Sequence, residues 1–265
     1  QGGGVFLQPS FLPGFSFGVS RIHYRDLQDQ DFGVKDVFIS FADFSSNTDT
    51  LANGNVVNDV YDQMTSANFK WTFEEIGFEA YFELARNDFS NIRSILTEPE
   101  HSRAYTIGFA KMIDIGKGRA FKGVYEHTNL GRPRLRNLRP ATPIYYTHAF
   151  SRQGYTQNGQ VLGAGIGPGG SGDIGMISYF YPQGLFGFSF QRIRFNDDYA
   201  FDTFNSTDDR PFDTEYSICL KAIRFVNDMV FGVEITGSQR LNWNYIYKND
   251  LVNFYGKVTM AYVMK

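Results

Sequence analysis

Over residues 77–85 the side chains alternate without a break: Phe78, Ala80, Phe82 and Leu84 fall on one side, and Glu79, Tyr81 and Glu83 on the other. Successive side chains of an extended strand point to opposite faces, so this period of two predicts a strand with one oily and one acidic face. The pattern recurs. Over 251–263, Val252, Phe254, Gly256, Val258, Met260 and Tyr262 alternate with Asn253, Tyr255, Lys257, Thr259 and Ala261. Met229, Phe231, Val233 and Ile235 alternate likewise with Val230, Gly232, Glu234 and Thr236. Strand-like segments are also expected at 15–23, 68–74, 103–112, 120–128, 144–151, 174–181, 185–195, 214–225 and 241–247, about twelve in all. Several run to roughly 9–11 residues, the length a tilted strand needs to cross a bilayer and longer than a water-soluble sheet commonly uses.

Composition points the same way. The chain of 265 residues carries 27 Phe, 16 Tyr and 27 Gly, yet its apolar fraction is only 42 % and its mean hydropathy is −0.30. Phe and Tyr suit pleated surfaces and aromatic girdles, and a barrel with a polar interior averages an apolar outside against a hydrophilic inside. No apolar run approaches the roughly 20 residues of a membrane-crossing helix, which excludes a helical membrane protein. The connections come in two sizes. Glu74 to Ile76 and Asn227-Asp228 read as tight turns, while 26–68, 87–102, 130–143 and 196–213 read as long polar loops, with a helical turn expected at 91–96. Short turns on one rim and long loops on the other fit a barrel.

Three blocks carry a more particular signal. The first is Glu98-Pro99-Glu100-His101-Ser102-Arg103-Ala104-Tyr105-Thr106-Ile107-Gly108-Phe109, the second Gly123-Val124-Tyr125-Glu126-His127-Thr128-Asn129-Leu130, and the third YYTHAFSRQGYTQNGQVLGAGIGPGG over 145–170. In this order they resemble the capsule-assembly Wzi family of Gram-negative outer-membrane β-barrels, and the resemblance runs from about Pro9 to the C-terminus. It implies an all-β fold: an antiparallel transmembrane β-barrel of the outer-membrane type, with about 12 strands here of the about 18 in the family. The whole of 1–265 is then expected to be a single β-barrel domain lacking N-terminal strands, with an export signal removed or absent. Localisation in the bacterial outer membrane is implied, as is a non-catalytic, lectin-like role in surface attachment or assembly of capsular or extracellular polysaccharide. The implied partners are membrane lipid or lipopolysaccharide, acidic extracellular polysaccharide and other outer-membrane proteins. A general porin or channel, and a structural barrel subunit of a larger outer-membrane complex, are the alternatives.

The residues of these blocks that bear hydrogen-bonding groups are Arg103, Glu126, His148, Arg152, Gln153 and Tyr155. They are the candidates for polysaccharide binding or for a network lining the barrel interior. Arg, Gln and Tyr in an interior find partners among themselves and hold a folded-in loop, because buried polar groups must be satisfied. The same donors and aromatic faces suit sugar hydroxyls and uronic-acid carboxylates, which Arg engages bidentately.

Other chemistries are weakly signalled. Gly165, Gly167 and Gly170 match GxGxxG, but the following segment is strand-like and no strand-to-helix context exists, so a loop with positive-φ glycines and close packing is expected instead. Glu79, Glu83 and Glu126 are the carboxylates that glycoside hydrolysis would use. They are more simply read as interior lining, facing water or pairing with Arg103 and Lys111 on neighbouring strands, so no enzyme activity is expected. His101 and His127 lack HxxxH or HExxH spacing. Asp26, Asp29 and Asp31, and Asp208, Asp209 and Asp213, read as solvated loop tips, so neither metal nor cofactor is expected. The lone Cys219 reads as a small strand residue. A net charge of −3 with interspersed signs gives no footprint for nucleic acid.

Overall fold

The computed structural model describes residues 2–24, 48–50, 56–58, 62–87, 97, 99–133, 144–147, 154–204 and 211–263. In chain order its elements are β1 (Gly2–Leu7), β2 (Phe15–Tyr24), β3 (Thr48–Thr50), β4 (Val56–Asn58), β5 (Asp62–Phe73), β6 (Phe78–Asn87), β7 (Arg103–Gly116), β8 (Arg119–Asn129), β9 (Thr156–Gln157), β10 (Gln160–Val161), β11 (Ser171–Tyr181), β12 (Gly184–Arg194), helix α1 (Asp197–Thr203), β13 (Thr214–Val226), β14 (Met229–Leu241) and β15 (Leu251–Tyr262). Eleven of the strands form one antiparallel meander in the order β1-β2-β5-β6-β7-β8-β11-β12-β13-β14-β15. The sheet is open, with β1 and β15 as its two edges. β3–β4 and β9–β10 are small separate hairpins inside long connections.

Register sorts the two faces of the sheet. Cross-strand partners share a face, and one row reads Phe17, Phe69, Phe82 and Ile107 across β2, β5, β6 and β7. Another reads Phe188, Leu220, Ile235 and Gly256 across β12 to β15. The opposite face carries Ser20 and Ser66, Lys70 and Tyr81, Thr106 and Thr128, and Lys221 and Glu234 as cross-strand pairs. The alternation legible in single segments therefore extends over the whole sheet.

Burial runs against hydrophobicity. Phe186, Phe188, Ile218, Leu220, Val233 and Ile235 are exposed, and on β15 Phe254 and Val258 reach 76 % and 82 % exposure. The buried apolar cluster, by contrast, is small and sits on the polar face at the long-loop end: Met64, Ala104, Leu130, Tyr145 and Tyr146. All strands of the sheet except β1 are 10–14 residues long. Short connections (8–14, 74–77, 117–118, 182–183 and 227–228) alternate with long ones (25–61, 88–102, 130–170, 195–213 and 242–250), so each kind collects at one end.

Several expectations change. About twelve strands are expected in the chain; among the described residues there are fifteen, eleven of them in the main sheet. Residues 144–147 form a turn instead of opening a strand: Tyr146 has φ 68°, and the Thr147 N–H and hydroxyl both donate to the Ile144 carbonyl. The strand expected over 241–247 is absent, because Asn242, Asn244 and Tyr245 adopt left-handed backbone and Trp243–Tyr245 is a single 3-10 turn. β5 begins at Asp62, several residues before the predicted start, since Gln63, Thr65 and Ser66 interrupt the apolar alternation there. β1 escapes the pattern because Gly2, Gly3 and Gly4 read as loop. The helical turn expected at 91–96 lies outside the described residues.

Candidate functional site

The polar face of β5 to β12 lines a recess of about 840 Å³, with Asn68, Lys70, Glu79, Glu83, Glu126 and Gln191 among its walls. At its centre the Tyr81 ring crosses a neighbouring strand. Tyr81 stands opposite Gly108 on β7, and Gly108 stands opposite Glu126 on β8. A Cβ on Gly108 would lie 2.1 Å from Tyr81 Cζ, so only glycine lets the ring lie flat and its hydroxyl reach the Glu126 carboxylate as a donor. Nearby, Lys70 Nζ sits 2.8 Å from Glu79 Oε2, which also accepts from Thr72 Oγ1 at 3.0 Å. The Thr106 and Thr128 hydroxyls are 2.9 Å apart.

One end of the recess is bounded by Ala164, Gly165 and Ile166. The segment that carries them is held from within. The Tyr155 N–H donates to the Tyr146 carbonyl (3.0 Å), the Leu162 N–H to the Tyr155 carbonyl (3.1 Å) and the Ala164 N–H to the Tyr146 hydroxyl (3.0 Å). Asn158 and Gly159, both at positive φ, close the β9–β10 hairpin. Tyr155 stacks 5.9 Å from Tyr146 and packs with its ring tilted 5.4 Å from Tyr24. Burial pushes the phenols of Tyr146 and Tyr155 above the usual tyrosine value. Of the glycine loop expected at 165–170, Gly167 and Gly169 have positive φ and Gly169 and Gly170 are closely packed, while Gly165 and Gly167 have open space around them. Gly169 sits at φ 58°, where a Cβ would meet Asn196 Oδ1 at 2.5 Å. The GxGxxG stretch leads into β11, which pairs antiparallel with β8 and β12.

Of the predicted residues, the structure brings Glu126 and Tyr155 to the polar face, in the recess and in the cluster beside it. Arg103 is elsewhere. It opens β7 opposite Arg86, on the face of Ile107 and Phe109, and is exposed. His148, Arg152 and Gln153 lie outside the described residues. The pairing expected between Glu79 or Glu83 and Arg103 or Lys111 does not form, for a reason of parity: Arg103 and Lys111 share the odd positions of β7 with Ile107 and Phe109. Glu79 takes Lys70 instead, and the Lys111 ammonium donates to the Ile76 carbonyl in the short turn. Cys219 is a free, half-buried residue of β13, as expected.

Sequence reasoning missed a second cluster at the long-loop end. Asp213 is not a solvated tip but 2 % exposed. Its carboxylate accepts two bonds from Arg240 (2.7 and 2.9 Å) and one from the Asn244 N–H (3.0 Å). Tyr245 donates toward the carbonyls of Phe195 and Asn196, and burial, reinforced by Asp213 and Asp197, pushes its phenol up to about 12. Asp198 of α1 accepts from the Arg132 N–H, and Arg132 reaches Asp202 at 2.6 Å. These contacts tie the connections 130–170, 195–213 and 242–250 together or to their strands. No short-range spacing could signal them, because the partners are 27–70 residues apart. Asp26, Asp29, Asp31, Asp208 and Asp209 lie outside the described residues, and among the described residues no group of three or more acidic, His or Cys side chains could hold a metal.

In comparison with known proteins, no family model matches this chain and no curated protein does.

Proposed function

We propose that this chain forms the wall of an outer-membrane β-barrel that holds capsular or extracellular polysaccharide at the cell surface without turning it over. The observation that carries the reading is the exposed apolar face of the sheet. In water, removing such side chains from solvent is favourable by about 25 cal/mol per Å², and a soluble fold would have covered them with a second layer. In lipid they need no cover, and long strands with an apolar outside and a polar inside are what a spanning barrel requires. The three blocks resembling the capsule-assembly family add the polysaccharide role.

The polar face fits a binder better than an open channel, since the 154–170 segment packs across one end of the recess. Lys70, Glu79, Glu126, Tyr81 and Gln191 offer donors, acceptors and a ring face to sugar hydroxyls. The two open edges set a condition on closing the barrel. In an eleven-strand meander the first and last strands run in the same direction, whereas bacterial single-chain barrels close with an even number of antiparallel strands. Closure between β15 and β1 therefore takes an odd number of further strands.

Protein reconstituted in lipid bilayers separates the readings. Retention of acidic capsular polysaccharide with no stable conductance in a planar bilayer is the expected result. Large stable conductance with no polysaccharide retention would sink the attachment role in favour of a porin.

A further inference from the structure

The apolar face is not uniform. Across β7, β8, β11 and β12 it holds a groove of about 420 Å³, walled by Phe109, Tyr125, Ile177, Phe188 and Phe190. Its floor is Gly123 and Gly175, diagonal neighbours in mid-strand, since Gly123 pairs with Ile177 and Gly175 with Tyr125. Neither glycine is required by the protein's own packing: a Cβ built on either meets nothing within 4 Å. Glycine inside a strand weakens it and often marks a place where something else approaches the backbone.

The groove has a polar head. Two residues further along each strand, toward the long loops, stand His127 on β8, Asp173 on β11 and Arg192 on β12, in one row by register. Asp173 gathers the row: Oδ1 takes His127 Nδ1 at 2.8 Å and the Tyr125 hydroxyl at 2.9 Å, and Oδ2 takes Arg192 Nη1 at 2.7 Å. Tyr105 packs on the His127 ring at 5.7 Å. Asp173 thereby orients Arg192 and spends only one guanidinium nitrogen on the pair; Nε and Nη2 have no partner among the described residues. His127, bonded through Nδ1, keeps Nε2 for a second partner. A lone arginine on a lipid-facing surface is costly, but one held at the boundary of the apolar band is placed to meet an anionic head group.

We infer that this is a lipid site: an acyl chain lies in the groove over Gly123 and Gly175, and the anionic phosphate-bearing head group of the same lipid binds Arg192 and His127. The site rests on the membrane reading above, and two measurements keep the two apart. The first is flotation of the protein with dioleoyl phosphatidylcholine vesicles, which tests the membrane reading alone. The second is native mass spectrometry of detergent-solubilised protein after titration with dioleoyl phosphatidylglycerol or dioleoyl phosphatidylcholine, which share chains and differ in head-group charge.

Wild type is expected to float and to retain one phosphatidylglycerol in preference to phosphatidylcholine. Arg192→Gln loses about tenfold in phosphatidylglycerol retention, the scale of one charge-assisted hydrogen bond, and falls toward the phosphatidylcholine level. The double variant Gly123→Val, Gly175→Val fills the groove with residues that strands favour and loses retention of both lipids while still floating. Gly237→Val, on the same face outside the groove, retains lipid like wild type; no Cβ contact lies within 4 Å there either. Equal retention by wild type and the double valine variant, with both floating, overturns the site and leaves the membrane reading standing. Failure of wild type to float overturns both.

Discussion

The two faces of this sheet are built from the same strands, one residue out of phase, and they are stabilised in opposite ways. On the polar face side chains find partners in the protein: Tyr81 reaches Glu126 over Gly108, Lys70 holds Glu79, and Tyr146 and Tyr155 pack with Met64, Ala104 and Leu130. On the apolar face Phe188, Leu220, Val233 and Phe254 are exposed. The contrast teaches that hydrophobicity does not by itself mark the core of this protein. Three of the five residues in its small buried cluster are tyrosine or alanine, and its apolar sheet face is left for the surroundings to cover.

The sharpest way to break that comparison is a charge on the apolar face. Leu220→Arg, in mid-strand on β13, is expected to cost about 2–4 kcal/mol of folding free energy in phosphatidylcholine vesicles, measured by equilibrium unfolding. A variant as stable as wild type there would put Leu220 in contact with water and undo the membrane reading. A matched glycine pair tests both faces at once. Gly108→Val drives a side chain into the space of the Tyr81 ring and is expected to cost about 1–3 kcal/mol, whereas Gly237→Val, with open space around it, leaves the unfolding midpoint within the error of wild type.

A smaller effect belongs to the segment over the recess. Tyr146→Phe removes the acceptor of the Ala164 N–H and should raise amide exchange at 162–166 by the equivalent of about 1 kcal/mol, with the strands unaffected. Smallest is a pH effect at α1. Burial raises the Asp198 carboxyl above its ordinary 3.8, although Arg132 opposes the shift. In the window between 3.8 and that raised value the folded state binds more protons than the unfolded, so stability falls as pH rises through it. Amide exchange at Arg132, whose N–H donates to Asp198, should accordingly quicken across this window once its intrinsic pH dependence is divided out, and Asp198→Asn should flatten the dependence. An unchanged slope in that variant would assign the effect to another group.

Much of this architecture is legible in the chain. The alternation over 77–85, 214–225, 229–235 and 251–263 locates strands and sorts their faces, because a strand's period is two wherever it lies. The errors have physical causes. Lys111 breaks the apolar pattern of β7, and its acidic neighbours invite a pairing that its odd position forbids; the long side chain instead runs to the rim and bonds the Ile76 carbonyl. The segments 144–147 and 241–247 are aromatic-rich and read as strands, yet left-handed backbone at Tyr146, Asn242, Asn244 and Tyr245 turns them. Within the site, Glu126 and Tyr155 are recognisable as hydrogen-bonding residues in marked blocks, but Tyr81 as the partner of Glu126 is not, since the two are 45 residues apart.

By itself the sequence determined the strand periods, the opposed character of the two faces and the alternation of short and long connections, since each depends only on residues a few positions apart. The tertiary structure decided which rows those residues join. Register across the sheet set Asp173 between His127 and Arg192, laid Tyr81 across Gly108, buried Asp213 against Arg240 and opened the groove over Gly123 and Gly175. Register is a property of neighbouring strands and the turns between them, and no single segment carries it.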